Sequence, residues 1–171
     1  KSIWEVWNYN KLDYGDRFCS GLLFWYHNCS MRQVSSRMWD WSLEPTASLY
    51  HTANSLEPLH AQFDYLKNTV SVVNDYYRSF NNYKVIARVY DINSRKVYEE
   101  SASVNLPEDG VANDVLTIRF PENISQVHFI KLVLKDEKGK DVSSNFYWRS
   151  NDKYEGSKTL TGPASSGFED L

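Results

Sequence analysis

The chain has 171 residues, of which 42% are hydrophobic and 24% charged, enough for one ordinary domain with an additional segment and too apolar for wholesale disorder. Nineteen basic against 22 acidic residues give a net charge of −3 without a basic block, so no nucleic-acid partner is expected. The longest apolar run, Gly21 to Tyr26, falls far short of the roughly 20 residues that cross a bilayer, so no membrane span is expected either.

From Ser2 to about Lys11 the apolar residues Ile3, Trp4, Val6 and Trp7 recur at three- and four-residue spacing, which predicts a short amphipathic helix capped by Ser2. The run Gly21 to Tyr26 has no alternation, which predicts a strand buried on both faces, as in a parallel sheet. A polar stretch, Ser30 to Arg37, and the aromatic loop Trp39-Asp40-Trp41-Ser42-Leu43-Glu44 lead to a helix beginning near Pro45 and ended by Pro58. Ala47, Tyr50 and Ala53 share one face of that helix, with Leu49 and Leu56 on a neighbouring stripe. This is one β/α unit with no sheet of its own to join.

From about Ala61 the period changes to two. Seven short segments rich in β-branched and aromatic residues predict strands at 61–66, 69–74, 83–90, 96–104, 115–120, 127–134 and 142–148. Val85, Ala87 and Val89 oppose Ile86, Arg88 and Tyr90, and Ile130, Leu132 and Leu134 oppose Phe129, Lys131 and Lys135. Asp91-Ile-Asn-Ser94 and Asp136-Glu-Lys-Gly139 read as hairpin turns. The count and spacing are those of an immunoglobulin-like β-sandwich, and Trp148 is expected in its core. The fold class is therefore mainly β, a sandwich preceded by a short α/β segment. The stretch after Ser150, rich in Gly, Ser, Thr and Pro, reads as an extended tail or linker.

Chemical motifs are sparse. Cys19 and Cys29 lack metal-ligand spacing, the 7 glycines form no phosphate-cradling loop, and no G-x-S-x-G elbow frames a nucleophile. No metal or cofactor is expected. Asn28-Cys-Ser30 and Asn123-Ile-Ser125 fit the glycosylation sequon. His27 reads as a hydrogen-bonded structural histidine, His60 as a junction residue, and Trp39 and Trp41 as packing against a neighbouring domain.

The segments Ser20-Gly-Leu-Leu-Phe-Trp25-Tyr-His-Asn28, Trp39-Asp-Trp-Ser-Leu-Glu-Pro-Thr-Ala47, Leu56-Glu57-Pro58-Leu59-His60-Ala-Gln62 and Asn145-Phe-Tyr-Trp148 together resemble the C-terminal portion of family 2 glycoside hydrolases. The likeness is strongest to the β-mannosidase and exo-glucosaminidase branch of that β-galactosidase-like family, and it spans roughly Ile3 to Ser150. It implies that residues 1–59 are the terminal α/β segment of a (β/α)8 catalytic barrel, 60–150 the following immunoglobulin-like sandwich, and 151–171 the tail. The missing sheet, the rest of the barrel, would then belong to a longer parent chain, as would the carbohydrate substrate. Spacing alone reads Trp25 as barrel core; by the same resemblance it would instead floor the sugar site at the carboxyl end of the last strand, and Asn28 would hydrogen-bond a hydroxyl. The match departs after Asn28, where Cys29-Ser30-Met31 replaces the family's small residue, Trp and Pro.

Retaining hydrolysis needs two carboxyl groups about 5 to 5.5 Å apart, and in the family both come from earlier barrel strands. No catalytic residue is therefore assigned in this chain, with Glu44 read as a loop carboxylate, Glu57 as a structural anchor and Glu5 as part of the first helix. The family also implies a periplasmic or secreted location. The alternative is a stand-alone carbohydrate-binding or structural sandwich module.

Overall fold

The computed structural model describes residues 4, 5, 7, 8, 21–24, 27–32 and 37–150. Seven antiparallel strands form two sheets. β1 (Leu59–Asp64), β2 (Thr69–Asn74) and β5 (Gly110–Thr117) make the first, in the order β1-β2-β5. The second has four strands, β3 (Phe80–Asp91), β4 (Lys96–Leu106), β6 (Val127–Lys135) and β7 (Asp141–Ser150), in the order β4-β3-β6-β7.

The period-two pattern makes one core. Val85, Ala87 and Val89 on β3 and Ile130, Leu132 and Leu134 on β6 are fully buried and face Ala61, Phe63, Val70 and Val72 of the other sheet. Both hairpin turns form at the predicted places and share one device. Asp91 Oδ1 accepts from the N–H groups of Asn93 (3.0 Å) and Arg95 (2.9 Å), and Asp136 Oδ1 from Lys138 (2.9 Å) and Lys140 (2.8 Å). In each turn the fourth residue, Ser94 or Gly139, takes a positive φ.

Several expectations need correction, beginning with the first strand, which runs over Leu59–Asp64 and not 61–66. β5 runs over 110–117, not 115–120, because a bulge opposite Val70 to Val72 places Asp114 at φ 51° and lets Gly110 to Ala112 pair. Ile118 stays buried but lies beyond the strand. Trp148 is not core: on β7 the inward positions are Ser143, Asn145 and Tyr147, at most 5% exposed, while Phe146 and Trp148 are each 46% exposed. The strand expected at Gly21 to Tyr26 is also not one over its described part, since 21–24 carry no strand and Leu23 is fully exposed. No described strand lies alongside to supply a ladder, and an extended segment without hydrogen-bonding neighbours is not a sheet element.

Trp4, Glu5, Trp7 and Asn8 are helical, as their spacing predicts, and the cap at Ser2 and residues 151–171 lie outside the described residues. The second helix, α1 (Ala47–Ser55), is capped by Thr46, whose hydroxyl accepts from Ser48 N at 3.2 Å. Its apolar stripe faces outward: Ala47, Tyr50 and Ala53 are exposed, whereas Thr52 and Ser55 are buried. The helix lies against β7, where Asn54 Nδ2 donates to Ser144 O (3.1 Å) and the His51 ring meets Trp148 at 6.2 Å.

Candidate functional site

The densest polar cluster among the described residues surrounds Glu5, which is only 6% exposed. Its Oε1 accepts from His60 Nε2 (3.1 Å), Asn145 Nδ2 (2.9 Å) and Tyr147 OH (2.8 Å). Gln62 Nε2 donates to the Glu5 main-chain carbonyl at 3.0 Å. Strand geometry places these groups. His60 and Gln62 lie two apart on β1 and Asn145 and Tyr147 two apart on β7, so each pair points to one face. The same side chains bind the two strands together: Asn145 Nδ2 reaches Ala61 O (2.9 Å), and Tyr147 OH accepts from Phe63 N (3.0 Å).

The Glu5 carboxyl also acts on the titration of its neighbours. His60 has no solvent exposure, which opposes its charged form, yet the hydrogen bond to Glu5 and the nearness of the Glu5 and Glu57 carboxylates outweigh burial and raise its pKa above the usual histidine value. Its Nδ1 has no partner in hydrogen-bonding geometry, so Glu57 acts there through proximity and charge. The interaction with His60, helped by a 3.0 Å bond from Ser143 Oγ, holds the Glu57 carboxyl below its ordinary value. Burial and then the charge of Glu5 push the Tyr147 phenol well above its ordinary value, so it remains a donor. Three buried donors on one oxygen form a lock, because each of them would be left unpaired if the carboxylate moved away. A second tie lies beside it, Asn8 Nδ2 donating to Ser55 O at 2.7 Å.

The residues expected at a sugar site are elsewhere. Trp25 lies outside the described residues, and Asn28 is exposed, its carbonyl accepting from Arg37 Nη1 at 3.1 Å. Asn28 pairs with Trp39 in a parallel bridge, and Trp39 with Pro45 in an antiparallel one. His27 is exposed, and its carbonyl, not its ring, takes a hydrogen bond, from Trp39 N at 3.2 Å, so it is not the structural histidine expected. Trp41 is 46% exposed with the Arg32 guanidinium 4.7 Å above its ring. Asp40 orders this loop by accepting from Ser42 N (2.8 Å) and Glu44 N (2.9 Å), bonds that, Glu44 first, hold its carboxyl below its ordinary value. Glu44 is exposed. Among the described residues no His, Cys, Asp and Glu cluster is placed to hold a metal ion, and no helix is long and apolar enough to cross a membrane.

Residues 67–154, half of the chain, match the family model described as the mannosidase Ig/CBM-like domain. The chain belongs to this family. Relatives extend the match beyond the Ig/CBM-like domain. The exo-β-D-glucosaminidase of Streptomyces avermitilis is 26% identical over 133 residues, covering 77% of this chain and 15% of that enzyme. That of Amycolatopsis orientalis is 24% identical, again over 77% of this chain and 13% of the enzyme. The chain thus spans about a seventh of the length of these relatives. The crystal structure of the Amycolatopsis orientalis exo-chitosanase superposes with a TM-score of 0.78 at 23% identity, covering 87% of this chain and 18% of that one. The β-D-mannosidase of Dictyoglomus thermophilum does so with 0.62 at 18% identity, covering 86% and 18%. These likenesses show that the chain shares its fold with a part of each of those larger proteins.

What sequence reading missed is the convergence. His60 and Gln62 from one signature and Asn145 and Tyr147 from the other meet around Glu5, 55 to 142 residues away along the chain. The available signal was polar residues at two-residue spacing on strands whose neighbours are apolar.

Proposed function

We propose that this chain is the C-terminal part of a retaining β-glycosidase acting on terminal β-linked sugars, with residues 1–59 completing the catalytic barrel, 60–150 a structural sandwich and 151–171 a tail. In this reading Trp25 floors the sugar site and Asn28 hydrogen-bonds a sugar hydroxyl, while the acid/base and nucleophile carboxyls come from the remainder of the parent. The exo-glucosaminidase relatives favour an amino sugar, and the family a periplasmic or secreted enzyme.

The observation that carries the proposal is an inversion of polarity before Leu59. There the buried side chains include the polar Glu5, Asn8, Thr52 and Ser55, while the apolar Leu23, Met31, Leu43 and Tyr50 are 64% to 103% exposed. A face of that kind is completed by another body, and the rest of a barrel is the body this sequence resembles. The Glu5 lock then fixes barrel and sandwich at a set angle.

The test is hydrolysis of p-nitrophenyl β-glycosides, glucosaminide and mannoside included, by this chain alone and by the full-length parent. Activity confined to the parent is expected. Turnover by the chain alone would overturn the proposal and make Glu44 the first residue to mutate, since Glu5 and Glu57 are held by structural partners.

A further inference from the structure

Asn28 is held by its main chain while its side chain stays unspent. It pairs with Trp39 in a parallel bridge, beside which Trp39 N donates to His27 O at 3.2 Å. The Arg37 guanidinium reaches back nine residues, Nη1 donating to Asn28 O at 3.1 Å. Neighbouring side chains of a bridged segment alternate in direction, so Cys29 is buried and Asn28 exposed. Among the described residues no hydrogen bond occupies the Asn28 carboxamide. The structural asparagines of this chain are the reverse. Asn74 Nδ2 donates to Arg78 O (2.8 Å) and Pro107 O (2.6 Å) while its Oδ1 accepts from Tyr76 N (3.0 Å). Asn145 Nδ2 donates to Glu5 Oε1 and Ala61 O, both at 2.9 Å. Those two buried amides are used to hold backbone, whereas at Asn28 the backbone is held and the amide is free.

Arg37 is itself anchored. Thr46 Oγ1 donates to Arg37 O, and Thr46 N donates to Met38 O at 3.0 Å. Trp39 also bridges Pro45, and Asp40 N donates to Glu44 O at 3.0 Å, so three short pieces of chain, 27–29, 37–39 and 44–46, lie side by side. Thr46 then caps α1, and α1 is tied to β7 by the bond from Asn54 to Ser144 O. Asn28 is thus mounted on the sandwich through a continuous set of bonds, and Arg37 is the side chain by which that set reaches its carbonyl. A bond from a guanidinium to a carbonyl is charge-assisted and directional, which suits it to fixing one peptide group.

We infer that Arg37 is a positioning residue of the parent enzyme: it fixes the main chain of Asn28 so that the free carboxamide meets a sugar hydroxyl in alignment. The inference rests on the reading of Asn28 given under the proposed function. Hydrogen bonds weaken steeply once the donor angle falls below about 120°, and misplacing a binding group by about 1 Å can cost on the order of 100-fold in rate. A residue that touches no substrate therefore governs turnover through the one it holds.

The test uses the full-length parent and the p-nitrophenyl β-glycoside it hydrolyses best. Arg37→Gln should lower kcat/KM about tenfold, chiefly by raising KM, the size of effect that loss of one hydrogen bond to bound substrate gives. Asn28→Ala should do the same, and the double variant should fall no further, because both changes remove a single contact. Arg37→Lys keeps the charge without the planar fork and should lose about threefold; combined with Asn28→Ala in the same way, it decides the matter should Arg37→Gln fail to fold. Arg32→Gln removes a neighbouring guanidinium, the one above the Trp41 ring, and should leave kcat/KM unchanged. Unaltered kcat/KM in Arg37→Gln, losses that multiply in the double variant, or an equal loss in Arg32→Gln would overturn the inference. Absence of hydrolysis by the unaltered parent would instead overturn the glycosidase reading, so the two failures are told apart before any variant is made.

Discussion

Between β1 and β7 the fully buried side chains are chiefly Val70, Val72, Val85, Val89, Ile130, Leu132 and Leu134. In the described residues before Leu59 they are mostly polar, Glu5, Asn8, Thr52 and Ser55, joined by Cys29 and Met38. The sandwich is held by area removed from water, a non-directional force that needs only the right alternation. The preceding segment is held to it by hydrogen bonds around one carboxylate, which demand particular atoms at particular distances. The first kind of order tolerates substitution of shape; the second fails when a single partner is lost.

The largest effects should therefore come from the lock. Glu5→Ala leaves His60, Asn145 and Tyr147 enclosed without their common acceptor, and breaking a buried ion pair in this way costs about 3–5 kcal/mol. Urea unfolding of the full chain measures this; a loss below about 1 kcal/mol, the level of an exposed pair such as Lys67 and Asp114, would mean that the segment is not held by Glu5. Core truncation sharpens the same contrast. Leu132→Ala should cost about 2–5 kcal/mol, and Leu23→Ser, at a fully exposed side chain, about 0.5 kcal/mol or less, while reducing self-association in analytical ultracentrifugation.

The lock should also be read in the pH dependence of stability. His60 has a raised pKa in the folded chain, so its contribution is complete below its unfolded value of 6.5 and is lost as pH rises through the higher folded value. Glu57 has a lowered pKa, so its contribution is complete above 4.5 and is lost as pH falls through the folded value. The lock is strongest between about 4.5 and 6.5. His128 works in the opposite sense: burial lowers its pKa, so it favours the folded chain at neutral pH and loses that advantage on acidification. A melting temperature followed from pH 5 to 8 should fall less steeply, or rise, in His60→Gln; an unchanged profile would count against a protonated His60. The smallest effect concerns Leu43, exposed and at φ 64°. Leu43→Gly should stabilise the chain by about 0.5–1 kcal/mol in thermal melts, since glycine takes this conformation without steric cost.

The sandwich was legible because its alternation coincides with its burial. Val85, Ala87 and Val89 and Ile130, Leu132 and Leu134 carry the pattern, although Ile86 and Val133 on the opposite face are buried too, and their turns are set by local aspartates. Reading went astray where two residues competed for one role or where the deciding partner was distant. Tyr147 and Trp148 are adjacent aromatics, and the inward place falls to the one whose hydroxyl reaches Glu5 and Phe63 N. Gly21 to Phe24 is apolar enough for a buried strand, but pairing needs neighbours that local composition cannot supply. Glu5 itself carries no local mark, since helical spacing reveals a face and says nothing of a histidine 55 residues on.

Of the two edges of the four-stranded sheet, β4 is studded with Lys96, Glu99 and Glu100, all exposed, and so discourages a second strand from pairing. β7 bears no such charges along Ser143 to Trp148 and is covered instead by α1 through Asn54 and His51. A protease that nicked the chain between Ser55 and Leu59 would free that contact and open the β7 edge, beside the half-exposed Phe146 and Trp148, to pairing with another copy. The helix is in this sense a guard against self-propagation, and its attachment matters to the protein's lifetime as well as to its shape.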